Sequence, residues 1–473
     1  VTYDELTPRR RLLVTIALLA CAFLAMLDGT VIGTALPRIV DQLHGGDTWY
    51  TWLVTAYVLT SSISVPIYGR FSDLRGRRGL LLVGLVLFLA GSAACGFAGS
   101  MTALIVARAV QGLGAGSLLT LGMALVRDLN PPGREDGVVR MQTAVAVMMI
   151  LGLIGGPLVG GVLTDHADWR WAFWVNLPVG MAAAAVIASA LPPSKPEPRS
   201  GRLDVAGIAL LSAGLSLVLI GLSLKGTGDA RWRDAEVLLP LAAGALLLAA
   251  LVPVERRAST PVLPPHLMRR RTYAALLSGG FFFQIAVLPI GVFLPLYFQH
   301  IRGFSATASG LSVLPLLVGM VTSNRLTALL ILRTRHTRPV LLAGAAVTTL
   351  GALGFFTLGP STSVVITGAW LLLTGVGVGP AMGGITIATQ NAVDRADMGA
   401  ATAGSVLAKQ IGGAVGLACA QTAVGTVSGE SIGAAVGWIG GAAGLLALAS
   451  IGLMRDVVVG AAPPVPEKRS VPA

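Results

Sequence analysis

Apolar residues along this chain come in long blocks rather than in alternation. Runs of about 20 residues recur from end to end, and nearly all the charge sits in the short segments between them. That length suits a helix crossing the hydrocarbon core of a bilayer, and the blocks lack the alternating pattern of a barrel strand. Backbone groups in lipid must be satisfied within the span, so such blocks predict helices. They fall at 12–37, 49–69, 79–99, 101–126, 141–163, 172–191, 205–224, 236–254, 273–298, 306–324, 339–359, 363–388, 399–425 and 433–454. The fold class expected is an all-α polytopic membrane protein with fourteen spans and both termini on one side. The first block follows Arg9-Arg10-Arg11 and runs past Pro37, too long for the apolar region of a cleavable signal peptide.

Composition sharpens this reading. The chain has 473 residues, 54% of them hydrophobic and only 12% charged, with a mean hydropathy of +0.78. Soluble domains carry about 25% charged residues. A net charge of +12 would suggest a nucleic-acid partner in a soluble protein, but here the basic residues lie in loops. On the side of the termini there are 26 Lys and Arg. The opposite side has Arg38, Arg170, Lys225, Arg231, Arg233 and Arg302, and only Arg108 and Lys409 fall within spans. This asymmetry predicts cytoplasmic termini in a plasma-membrane protein, and a missed helix would reverse it midway. No nucleic-acid partner is expected.

Several chemistries find no support. Cys21, Cys95 and Cys419 lie inside apolar blocks without paired spacing, so neither a disulfide framework nor a metal site is expected. The five His (44, 166, 266, 300 and 336) fall in loops or at span ends, with no HExxH or GxSxG, which argues against an enzyme. Gly112-Leu-Gly-Ala-Gly116 and Gly375-Val-Gly-Val-Gly379 resemble nucleotide loops only superficially. Both lie in spans, and neither precedes Lys-Ser/Thr, so they read as helix-packing surfaces. With no ATPase motif, energy is expected from a gradient or a partner, and no cofactor is expected.

The chain carries a faint repeat. Arg9-Arg10-Arg11 precedes span 1 and Arg269-Arg270-Arg271 precedes span 9; a basic loop follows spans 2 and 10. The expected organisation is a six-helix bundle over 1–191, linkers and two extra helices over 192–271, a second six-helix bundle over 272–455, and a disordered tail over 456–473. A substrate site between two such halves near midplane is the usual arrangement of transporters.

Four motifs point to one family. The loop after span 2 has Gly69, Asp73, Gly76, Arg77 and Arg78. Span 4 has Arg108-Ala-Val-Gln111-Gly112. Span 5 has Gly152-Leu-Ile-Gly155-Gly156-Pro157-Leu-Val-Gly160-Gly161. Span 1 has Asp28-Gly-Thr30 followed by Thr34-Ala-Leu36-Pro37. Together with Asp168-Trp-Arg170-Trp171 through Asn176-Leu-Pro178, and Pro295-Leu-Tyr297-Phe-Gln299, these resemble the major facilitator superfamily, and within it the fourteen-helix drug:proton antiporters. Thr34 stands where that subfamily usually has Asn. The resemblance implies a conformational-switch loop, with Arg127 as candidate partner of Asp73. It implies an antiporter motif at Gly152, Gly156, Pro157, Gly160 and Gly161, and export of drugs or other amphipathic small molecules by alternating access. The alternatives are export of a host-made natural product or lipid and, in another class, a membrane enzyme or sensor. A monomer is expected, with small molecules, protons and the bilayer as partners.

Asp28 is the one carboxylate expected deep inside a span. It lies 17 residues past Arg11, and Arg108 lies 19 residues before Arg127, so both sit roughly 25–28 Å from the cytoplasmic ends of their helices. Burial opposes ionisation of a carboxylate and a nearby guanidinium favours it, so such a pair suits proton loading and release. A fixed structural pair is the alternative. Candidate cavity residues are Thr30, Thr34, Gln111, Gln142, Gln284, Lys409 and Gln410. No acid falls within spans 9–14, which predicts a cavity that is not strongly anionic.

Overall fold

The computed structural model describes residues 6–45, 49–129, 135–192, 204–226, 232–258, 265–394, 397–424 and 429–459, apart from the side-chain surroundings of some residues within these ranges. Fourteen long helices occupy the predicted blocks. The first six are α1 (Pro8–Gln42), α2 (Trp49–Arg75), α3 (Arg77–Phe97), α4 (Met101–Asp128), α5 (Glu135–His166) and α6 (Trp171–Trp174 and Asn176–Ala190). The middle pair is α7 (Val205–Gly226) and α8 (Ala235–Arg257). The last six are α9 (Arg271–Leu296), α10 (Ala306–Thr334), α11 (Arg338–Gly354), α12 (Val364–Ala392), α13 (Met398–Val424) and α14 (Gly429–Gly452). Thirteen are long and apolar enough to cross a membrane, and α2 carries a shorter apolar stretch, Trp52–Val65. Among the described residues there is no strand, only an isolated bridge between His336 and Val458.

Some helices overrun the predicted blocks. α1 continues beyond Pro37 to Gln42, and α10 continues ten residues beyond the block, to Thr334. Proline within a span costs one backbone bond, which long, laterally packed helices tolerate. α9 passes into a π turn, Tyr297–Ile301. That wider turn follows Pro295, inside a helix that also contains Pro289.

Packing follows the same order twice. α1 packs on α5 and α6, while α2 and α3 pack on α4. α9 packs on α13 and α14, while α10 and α11 pack on α12. The two glycine runs explain part of this symmetry. A β-carbon at Gly112 or Gly116 would collide with the backbone of Tyr57 or Ser61 on α2, and one at Gly114 with Phe88 on α3. Likewise Gly375 and Gly379 press on Leu316 and Met320 of α10, and Gly377 on Thr348 of α11. Both runs are helix-packing surfaces, as their place within apolar blocks predicts.

The extra pair, α7 and α8, packs on itself and against α2 and α13. Leu211, Leu215 and Leu251 form an apolar cluster with Leu407 of α13, and Leu59 of α2 packs against it. The pair therefore covers the seam where α2 meets α13.

The ends carrying the termini are tied by polar contacts. Only Gly76 separates α2 from α3, and its φ of 87° lies in the region that favours glycine. Arg77 donates to the Ala124 carbonyl of α4 at 3.0 Å, and Arg78 donates to that of Ala188 on α6. The side chains of Asp73, Arg127 and Gln142, and the surroundings of Gly69, lie outside the described residues. So do the linker segment 193–203 and the tail beyond 459. The tail is expected to be free from 456 onward, yet its first residues are held. Asp456 accepts hydrogen bonds from the Thr337 and Arg338 amides at 3.1 and 2.9 Å and pairs with His336. Its carboxylate thereby satisfies donors that the start of α11 cannot satisfy itself.

Gly114→Val should force α3 and α4 apart and cost about 1–3 kcal/mol, the usual penalty of overpacking. Gly79→Val, at an open position of the same pair, should cost less. Thermal unfolding of the two purified variants in detergent checks the difference.

Candidate functional site

Asp28 is fully buried in α1 and anchors a polar network in otherwise apolar surroundings. Its Oδ2 accepts from Arg108 Nη1 of α4 at 2.8 Å. Its Oδ1 accepts from Gln111 Nε2 of α4 at 2.7 Å and from Asn176 Nδ2 of α6 at 2.9 Å. An ionised carboxylate only accepts, so both amides turn their NH2 groups toward it. Both amides also donate to Ser92 Oγ of α3, at 3.1 and 3.0 Å. Ser92 in turn donates to the Phe173 carbonyl of α6 at 2.8 Å.

Arg108, 1% exposed, has further partners. Nη1 reaches Gln111 Oε1 at 2.9 Å, and Nε donates to the Leu53 carbonyl of α2 at 3.4 Å. The guanidinium lies 4.1 Å from the centre of the Tyr57 ring, also on α2. A buried guanidinium stays charged and must be compensated; the carboxylate, two carbonyl-type oxygens and the ring face do this. The network thus joins α1, α2, α3, α4 and α6. The depths estimated from the sequence agree because these residues meet in one layer.

The glycine motif of α5 divides into two faces. Gly152, Gly156 and Gly160 face α1, where a β-carbon would strike the Phe23 carbonyl, Thr30 and the Val31 carbonyl. Gly161 faces the start of α10 at Ala306 and Thr307, and the Pro157 carbonyl faces Gly310 of α10. One short stretch therefore brings α5 close both to α1 and to a helix of the second set.

This packing corrects part of the expected cavity lining. Thr30 is half-buried and donates to carbonyls of its own helix, with Gly152 of α5 beside it at 3.4 Å. Thr34 is 1% exposed, held by the Val31 carbonyl and pressed by Gly160. Gln111 is fully buried in the Asp28 network. Thr34 and Gln111 therefore face no open space in this conformation, one serving helix packing and the other the buried carboxylate. Gln284, Lys409 and Gln410 are half-buried between α9, α12 and α13. Lys409 Nζ donates to the Met382 carbonyl at 3.3 Å, and its stem lies against Gly280.

A family model described as the Major Facilitator Superfamily matches residues 18–417. The chain belongs to the major facilitator superfamily. Multidrug transporter protein MdtP of Bacillus subtilis (strain 168) is 34% identical over 422 residues, covering 89% of this chain and 76% of its own. Multidrug resistance protein 3 of the same organism is 28% identical, covering 94% of this chain and 85% of its own. Among solved structures, a peptide transporter, POT, in complex with sulfate superposes with a TM-score of 0.70 at 16% identity, covering 94% of each chain. At that identity the likeness shows the fold alone. The protein is thus a superfamily transporter with multidrug transporters among its relatives.

Within this superfamily fold, sequence reasoning missed Tyr57, Ser92 and Asn176 as members of the Asp28 network. Asn176 carried the clearest signal. It is a polar amide beginning the second segment of α6, where Val175 interrupts the helix. Ser92 and Tyr57 lie in runs of similar residues, which gave them no distinguishing spacing.

Arg108→Gln should cost about 3–5 kcal/mol, because it leaves Asp28 buried without its counter-charge. The double variant Asp28→Asn/Arg108→Gln should recover most of that loss. A double-mutant cycle on detergent unfolding measures the coupling.

Proposed function

We propose that this protein is a proton-coupled antiporter that exports amphipathic small molecules, drugs among them, across the plasma membrane by alternating access. The carrying observation is Asp28, a membrane-embedded carboxylate with its charge partner and two further donors already in place. Ionisable groups inside a membrane protein are functional candidates by default. The multidrug names of relatives supply the substrate class. The excess of Lys and Arg in loops on the side of the termini supports cytoplasmic termini. A monomer accounts for the reading, and protons take the place of a cofactor.

In this mechanism the described state holds Asp28 ionised. A proton on the carboxylate removes the charge that binds Arg108 and displaces at least one donated hydrogen bond. Arg108 retains Gln111 Oε1, the Leu53 carbonyl and the Tyr57 ring, so it remains compensated while α1 is released from α4 and α6. Release of α1 reaches the second helix set directly. Gly33 of α1 lies against the Gly291 carbonyl of α9, and Gln299 beyond α9 donates to the Thr34 carbonyl at 2.9 Å. Thr34 is six residues from Asp28, roughly 9 Å along the helix. The proton and the seam between the sets thus act on one rigid element.

Asp28→Asn should insert normally yet abolish substrate-driven proton movement in everted vesicles. Full gradient-driven export by this variant would refute the assignment. The apolar second set, with the half-buried Lys409 as the cation between its helices, favours neutral or weakly basic substrates. In the same vesicles a dicationic dye should be moved at least tenfold more slowly than a neutral or monocationic dye of similar size, a gap of about 1.4 kcal/mol or more.

A further inference from the structure

The end of the bundle opposite the termini is closed by contacts between the first helix set and the second. Most involve only backbone or neutral groups. Gly33 meets the Gly291 carbonyl, Gly161 meets Ala306 and Thr307, and Gly310 meets the Pro157 carbonyl. Gln299 donates to the Thr34 carbonyl at 2.9 Å. His300 approaches Asp41 no closer than 3.7 Å, and the Asp41 side chain is 64% exposed.

Asp165 is different. It stands at the last turn of α5, and its two carboxylate oxygens reach across to the first turn of α10. Oδ1 accepts from the Ala306 amide at 3.0 Å and Oδ2 from the Thr307 amide at 2.7 Å. The next amide, Ala308, is capped within its own chain segment by Ser305 Oγ at 3.2 Å. The orphan donors of α10 are therefore shared between a local cap and a carboxylate from the other helix set. The anion also lies at the positive end of the α10 dipole. Among the described residues this is the one inter-set contact in which a carboxylate accepts two backbone N–H bonds.

The geometry points to Asp165 as the latch of the outer gate: a helix cap supplied by one set to the other, made when the outer end is closed and broken when it opens. This inference rests on the alternating-access reading above, and on the end opposite the termini being the outer one. Its logic is differential. A contact present in one conformation and absent in the other shifts their equilibrium by the free energy it contributes to the first. Opening the outer end separates α5 from α10 and leaves water to replace Asp165 at both amides. Hydrogen bonds to charged groups are worth more than neutral ones. Asp165 therefore acts as a positioning residue that sets how often the outer end opens, while Asp28 handles the proton. Gly161 is the steric half of the same device, because a side chain there would push Ala306 and Thr307 out of reach of the carboxylate.

The test uses the full chain in liposomes, in a background lacking Cys21, Cys95 and Cys419, with spin labels at Ala167→Cys and Ser361→Cys, both exposed positions at the outer end. Pulsed electron–electron distance measurements read the closed and open populations. Asp165→Ala should lower the closed-to-open ratio about tenfold or more, the scale expected for losing charge-assisted bonds. Asp165→Asn should fall between it and the parent, because its amide oxygen still accepts one N–H. Gly161→Val should mimic Asp165→Ala with the carboxylate still present. If Asp165→Ala fails to fold, the Asn and Gly161 variants decide the matter. A distance distribution unchanged in the variants that fold would overturn the latch. The antiport reading is judged separately: a latch that opens in these variants, with no substrate-driven proton movement by the parent protein in everted vesicles, would leave the gate standing and remove the coupling.

Discussion

One buried charge pair constrains five of the first six helices. Removing Asp28 and Arg108 from water costs several kcal/mol per ion unless each finds full compensation. That compensation cannot come from one helix. It draws Gln111 from α4, Asn176 and the Phe173 carbonyl from α6, Ser92 from α3, and the Leu53 carbonyl and Tyr57 ring from α2. The positions of these helices around α1 are thereby mutually determined. The pair fixes which helices meet, and buried ion pairs in general add little net stability over well-packed apolar groups. Its cost is better understood through the proposed proton cycle, in which one partner changes charge and the other does not.

Glycine carries out the complementary task. Where the network fixes which helices meet, the glycine faces fix how closely. The α5 motif illustrates this. Three glycines spaced by four lie on the face toward α1, and Gly161, one residue out of that register, turns toward α10. A motif written as a linear string therefore encodes two contacts, one inside the first helix set and one between sets. Under the alternating access proposed above, the first contact is permanent and the second transient.

Much of this was legible in the sequence. Apolar block length predicted the fourteen helices, since lipid leaves the backbone few other options. The depth of Asp28 and Arg108 followed from helical rise, and their contact is formed at 2.8 Å. The remaining features depend on helix rotation, which apolar spans conceal, because a helix hydrophobic all round has no polar face to orient it. That is why Thr30, Thr34 and Gln111 read as cavity residues when they face α5 or Asp28. It is also why Asn176 and Ser92 passed as incidental polar residues. Asp165 escaped notice for another reason: beyond the apolar block it looks like any loop acid, and its partners are backbone amides that no side-chain pattern announces.

The clasp at the other end of the second helix set bears on how the chain is made. Asp456 supplies the carboxylate at the start of α11, and it is translated 118 residues after Arg338, whose amide it accepts. Until then the first turn of α11 has no partner from this segment. The last helix must insert, and its exit segment must fold back to the α10–α11 turn, before that turn is closed. Closure of the α10–α11 turn thus waits for α14 and its exit segment, which fasten the second set from a point far along the chain.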